Sequence, residues 1–404
     1  MTLSWKGVVL IVVVVVCLTQ LEQVGDRLVQ IGDISCMTGQ STSSGSLART
    51  SNVFDTAASW AAAFLPDNNY ERYIPAPVED YVVSHVKELG YDVESRDVSG
   101  CNIWTDPQAT PHYNELQQFR QEMLNYTALL KAFPPMKEDL RVLLKRNPEQ
   151  RDQICASLNV APGGVRELFP SLQLSYTRAG YVEPLLPPMR HWQLCYSAVP
   201  HASLRLKQRQ PVQMRMDYMV HDFEAMCRAL KPDSRMILID MGAALDFHSH
   251  VMSPAIYATK LYHQFGFKFD HIYAFEIQPK VPKQVYNKVP EELMASYHWI
   301  NIGVSADPKS QFNPLTSILK NIDKDDFVVV KLDIDTGSIE VPLAHQILND
   351  SVLAEKIDQF YFEHHVTFHE LAPSWGDSMN GTIEDTLRLF QGLRQKGVAA
   401  HFWP

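Results

Sequence analysis

After Pro211 the chain settles into one rhythm: short apolar runs of strand length, each separated from the next by residues with helical spacing or turn character. The runs cover 236–239, 271–275, 298–304, 327–332, 357–362 and 398–403. Strands without polar alternation are buried on both faces, and a chain that returns through a helix pairs them in parallel through right-handed crossovers. The rhythm therefore predicts an α/β fold, a doubly wound, mostly parallel Rossmann-like sheet, over residues 213–404. Ahead of the first run, Met216, Met219, Val220, Phe223, Met226, Cys227 and Leu230 are spaced as one helix face, read as core packing. Near the end, Thr382 and Asp385 form an N-terminal cap and Gly397 a stop.

A chain of 404 residues exceeds what one hydrophobic core usually holds, so further units are expected before residue 213. Residues 54–212 read as mainly helical; within 113–133, Leu116, Phe119, Met123, Tyr126, Leu129 and Leu130 recur every three or four positions. Residues 38–51 are nearly all small and polar, so 23–53 reads as a flexible stem. Lys6 precedes an apolar run over 7–18 that is about 18 Å long as a helix, too short for the bilayer core and suited to a signal peptide or short signal anchor over 1–22. The alternative is a buried valine-rich strand. The leading positive charge predicts a luminal body, either secreted or held in the ER or Golgi as a single-pass membrane protein.

The cysteines outside the apolar run, Cys36, Cys101, Cys155, Cys195 and Cys227, lack zinc spacing and are odd in number; they leave room for one or two disulfides, of unreadable connectivity. Asn125, Asn349 and Asn380 begin glycosylation sequons. The net charge of -10 and the lack of a basic stripe argue against nucleic-acid binding.

In an open parallel sheet, ligands bind outside the carboxyl ends of the strands, so the residues just after each run are the candidates. After the first come Asp240, Gly242 and Ala243, with a glycine that lets backbone approach a ligand. After the second comes Glu276, placed to accept hydrogen bonds from two ribose hydroxyls. The fourth leads into Asp333 and Asp335, which on a strand would face one side. There they could bind a divalent metal, orient a substrate, act as base and orienter, or cap the following helix. If strands one, four and five are neighbours, His248 and His250, the two aspartates, and Glu363, His364, His365 and His369 approach one rim, a set with metal-ligand chemistry.

The succession LIDMGA, YAFEIQP, NIGVSAD, VVVKLDIDTGSIEVPL and FYFEHHV resembles the FkbM-type branch of S-adenosylmethionine-dependent methyltransferases over roughly residues 213–404. The resemblance implies that Asp240, Gly242 and Ala243 line the methionine portion of the cofactor, that Glu276 holds its ribose and that Asp307 lies near the adenine. It matches Asp333 and Asp335 to the family's Asp and Glu, as candidate catalytic residues. The family's Glu-Gly is Asp335-Thr336 here, and its fold normally adds a seventh, antiparallel strand.

The expected function is a secretory-pathway methyltransferase acting on a hydroxyl of a glycan or small molecule, with S-adenosylmethionine as cofactor and a divalent metal as a further candidate. The alternatives are a non-catalytic descendant of the fold, or a metal-dependent glycosyltransferase using Asp333 and Asp335.

Overall fold

The apolar runs of the second half become six parallel strands: β4 (Met236–Met241), β5 (His271–Phe275), β6 (Tyr297–Ile300), β7 (Phe327–Leu332), β8 (Gln359–Phe362) and β9 (Ala399–Phe402). The structure is a computed structural model that describes residues 73–89, 102–160, 168–175, 178–186, 216, 218–245, 253–366 and 379–403. The sheet order is β6-β5-β4-β7-β8-β9, the dinucleotide-fold order with its reversal between β4 and β7. β8 pairs directly and in parallel with β9, so no antiparallel strand separates them.

The two faces follow from the strand period of two. On one, Leu238, Val329 and Tyr361 meet the crossover helix Pro254–Gln264. On the other, Phe362 and Phe402 pack on Phe390 of the helix Ile383–Gln395, at ring distances of 6.2 and 4.3 Å. That helix starts with the expected capping box of Thr382 and Asp385, and Gly397 ends it at φ +91°. Against it lies the helix Gly337–Asn349, where a Cβ at Gly392 would come within 2.8 Å of Leu348.

Two expectations change. The expected continuous helix face is interrupted at Met219–Asp222, and the helix Phe223–Ala229 starts afresh because the side chain of Asp222 caps it by accepting from Ala225 N at 2.9 Å. Immediately upstream, buried side chains take the backbone amides instead: Val220 N donates to Glu183 at 2.9 Å and His221 N to the Tyr126 hydroxyl at 2.8 Å. Met216, Met219 and Val220 are buried as expected, but the backbone at Met219 and Val220 is not helical. The region before residue 213 has the long helix Tyr113–Ala132, and it also carries a three-stranded antiparallel sheet, β1 (Tyr73–Ile74), β2 (Ser171–Ser175) and β3 (Arg178–Tyr181). β1 is two residues long and pairs across about a hundred positions, so no local pattern marks it.

Residues 69–404 form one compact unit. A fully buried ionic group joins the N-terminal region to the last helix. Arg394 donates to Glu183 Oε1 at 3.1 Å and to the Tyr73 hydroxyl at 3.0 Å; Tyr73 donates to Glu79 at 2.6 Å, and His401 Nδ1 lies 3.0 Å from Glu183. Cys155 and Cys227 form a disulfide between helices Arg151–Ala156 and Phe223–Ala229. Among the described residues no helix is long and apolar enough to cross a membrane; the apolar run over 7–18 and the stem lie outside the described residues.

Candidate functional site

The carboxyl ends of β4 and β7 are tied together by one lysine. Asp240 and Lys331 are register partners on neighbouring strands, and Asp333 lies two positions beyond Lys331 on the same face. The Lys331 ammonium sits 3.1 Å from Asp240 Oδ1 and 3.1 Å from Asp333 Oδ2, and donates to the Gly242 carbonyl at 2.6 Å. Trp403 donates its indole N–H to Asp333 Oδ2 at 3.0 Å, with its ring 5.7 Å from the ammonium. Burial opposes the charge on Lys331, but the two carboxylates more than offset it and hold its pKa above the ordinary value. Burial likewise pushes Asp240 up, with Lys331 pulling the other way and the charges of Asp333 and Glu276 adding to the rise.

The loop after β4 is built for close backbone packing. Gly242 has φ +90°, and a Cβ there would lie 1.5 Å from the Asp333 carbonyl oxygen. Its amide and that of Ala243 both donate to the Phe275 carbonyl, at 3.0 and 2.8 Å. A pyrophosphate cradle needs such amides aimed outward, so this loop is not one. Glu276 sits at the end of β5, 8% exposed, and among the described residues its carboxylate takes one hydrogen bond, from Gln278 N at 2.7 Å. The expected adenine-side residue, Asp307, is exposed and accepts from Lys309 N at 2.9 Å, closing its own turn.

Asp333 and Asp335 do not act as a facing pair. β7 ends at Leu332, so both lie in the loop beyond it, and Asp335 adopts φ +55°, the left-handed conformation an aspartate tolerates. Their partners differ: Asp333 is held by Lys331 and Trp403, whereas Asp335 Oδ1 lies 3.5 Å from His365 Nε2. Glu363 Oε1 is 3.3 Å from the same nitrogen. Asp335, Glu363 and His365 thus place three ligand-type atoms within 4.8 Å of one another, on a buried floor of Glu363 and His365 with Asp335 exposed above. Beneath the loop, Glu340 accepts from Ile334 N at 2.7 Å; burial first, then the charges of Asp333 and Asp335, push its carboxyl up to about 7.

The histidine expectations divide. His365 joins the rim group. His364 does not: Nε2 bonds the Asn380 carbonyl at 2.9 Å, Nδ1 bonds Thr386 Oγ1, and burial pushes its pKa down to about 4. His248, His250 and His369 lie outside the described residues.

Lys331 and Trp403 were not among the sequence candidates. A lysine inside the otherwise apolar VVVKL strand was the available signal, since a buried cation demands buried anions beside it. Trp403 had no signal, because its role depends on β9 lying beside β8.

No protein-family model, curated protein or solved structure matches this chain.

Proposed function

We propose that the crevice at the ends of β4, β5 and β7 binds the adenosyl group of S-adenosylmethionine, and that the protein transfers its methyl group to a hydroxyl of a glycan or small molecule. The observation that carries this reading is Glu276, a largely buried carboxylate at the end of the second strand of a sheet in dinucleotide-fold order. It suits a ribose diol, which offers two donors to one carboxylate. Ile277 beside it is 70% exposed and lies over Gly303, an apolar surface suited to an adenine ring. The inward-turned amides of Gly242 and Ala243 favour a nucleoside without phosphates over a dinucleotide.

When bound, the sulfonium supplies the methyl group: an oxygen–carbon bond forms, the sulfur–carbon bond breaks with its electron pair left on sulfur, and the hydroxyl proton must depart. The chain's part is to align the acceptor and take that proton. Asp335, backed by His365 and Glu363, is the exposed carboxylate at the rim; Asp333, held by Lys331 and Trp403, fixes the loop instead. The divergence of Asp333 and Asp335 counts against the glycosyltransferase alternative, which needs both on one metal. The neutralised Asp333 gives the non-catalytic descendant its best support, and turnover of any acceptor would remove it.

The disulfide and the apolar run over 7–18 fit an oxidising secretory compartment, with the N-terminus as signal or anchor. Thermal-shift measurements test the ligand class. S-adenosylmethionine or S-adenosylhomocysteine at a hundredfold excess over Kd should raise the melting temperature by roughly 5 °C. Stabilisation by nucleotide sugars with manganese, and not by these ligands, would overturn the proposal.

A further inference from the structure

The rim group carries a second, independent conclusion. We infer that Asp335, Glu363 and His365 form a binding site for one divalent transition-type cation, of the Zn2+, Mn2+ or Co2+ class. The three side chains come from two adjoining strand ends, Asp335 from the loop after β7 and Glu363 and His365 from the segment after β8. Two of the three ligand-atom pairs stand at coordination spacing, and all three atoms lie within 4.8 Å of one another. His365 Nε2 is 3.5 Å from Asp335 Oδ1 and 3.3 Å from Glu363 Oε1. An ion about 2.1 Å from both atoms of either pair would see that pair at roughly 105–115°, close to the tetrahedral angle.

The donor set selects the ion. One imidazole and two carboxylates, with no thiolate, suit the borderline and harder first-row dications; calcium would require six or more oxygens. The backbone fixes the floor, since Glu363 N donates to Leu332 O and Asn380 N to the His365 carbonyl, at 3.1 and 2.7 Å. Glu363 and His365 are 7% and 2% exposed, whereas the Asp335 side chain is 76% exposed. Among the described residues the group supplies three ligands, two buried and one at the surface, the ligand number of catalytic rather than structural sites.

Metal binding does not depend on the methyl-transfer reading. If that reading also holds, Asp335 serves as a metal ligand rather than as the free base, and the ion would make a hydroxyl bound to it acidic enough to lose its proton to water.

The test uses the untagged full-length protein, stripped with chelator, and titrates Zn2+, Mn2+ and Co2+ by calorimetry, with the cobalt absorption spectrum recorded in parallel. The expected result is one equivalent of at least one of these ions bound, with cobalt giving visible bands if it is taken up. Asp335→Asn, at an exposed position and expected to fold, should weaken binding at least tenfold with an unchanged melting curve; His365→Ala should weaken it further. Failure of all three ions to bind stoichiometrically to the wild type, or wild-type affinity in Asp335→Asn, overturns the assignment. S-adenosylmethionine binding measured in the same samples reports on the other proposal separately.

Discussion

Lys331 is the residue on which the crevice most depends. Replacing it with methionine removes the ammonium from beside the buried Asp240 and the partly buried Asp333, and breaking one partner of an internal ion pair costs about 3–5 kcal/mol. Urea unfolding of Lys331→Met should show a loss of that size, while Asp333→Asn, which keeps a hydrogen-bonding side chain beside Lys331 and Trp403, should lose less. Gly242→Ala should damage the same loop, since the new methyl would overlap the Asp333 carbonyl. Glu340 makes a pH-dependent prediction. Its folded-state pKa of about 7 lies above the ordinary carboxyl value, so the native state binds this proton more tightly than the unfolded chain. The associated stability is fully present below about pH 4.5 and is lost as the pH rises through 7. Denaturant titrations of metal-free protein at pH 5.5 and 8 should show this decline in the wild type and a smaller one in Glu340→Gln; equal declines would contradict the assignment.

At the scale of elements, the disulfide between the helices Arg151–Ala156 and Phe223–Ala229 closes a loop with a sequence separation of 72. Its removal in a Cys155→Ser, Cys227→Ser double variant should lower stability by about 2–4 kcal/mol, seen as a lower melting temperature than in the oxidised wild type. The strands were legible because each centres on a short, mostly apolar run bounded by turn residues, and the last helix because Thr382, Asp385 and Gly397 mark its ends chemically. What was not legible arises from contacts far apart in sequence. The short β1 depends on pairing with the distant β2, while the helix interruption at Met219–Asp222 and the buried Arg394 group depend on Glu183 and Tyr126, which claim backbone or charge from distant segments. The disulfide pairing is of the same kind, fixed by the docking of two helices. For the site, strand ends could be located from the runs, which placed Asp240, Glu276, Asp333 and Asp335. Side-chain direction beyond a strand end could not, because a single left-handed residue at Asp335 turns the loop and separates the two aspartates.

For the whole molecule, a parallel sheet in dinucleotide-fold order sets three groups along one edge: the Lys331-centred ion pair, Glu276 with its apolar neighbour, and the rim of Asp335, Glu363 and His365. The first holds the edge together, the second is the proposed ribose contact, and the third is the inferred metal site. The claim on which the function rests is the second, and isothermal calorimetry of S-adenosylhomocysteine binding tests it most directly. The account predicts saturable one-to-one binding to the wild-type protein and a loss of about 2 kcal/mol, roughly thirtyfold in Kd, in Glu276→Gln. No binding to folded wild-type protein, or equal affinity in the variant, would contradict it.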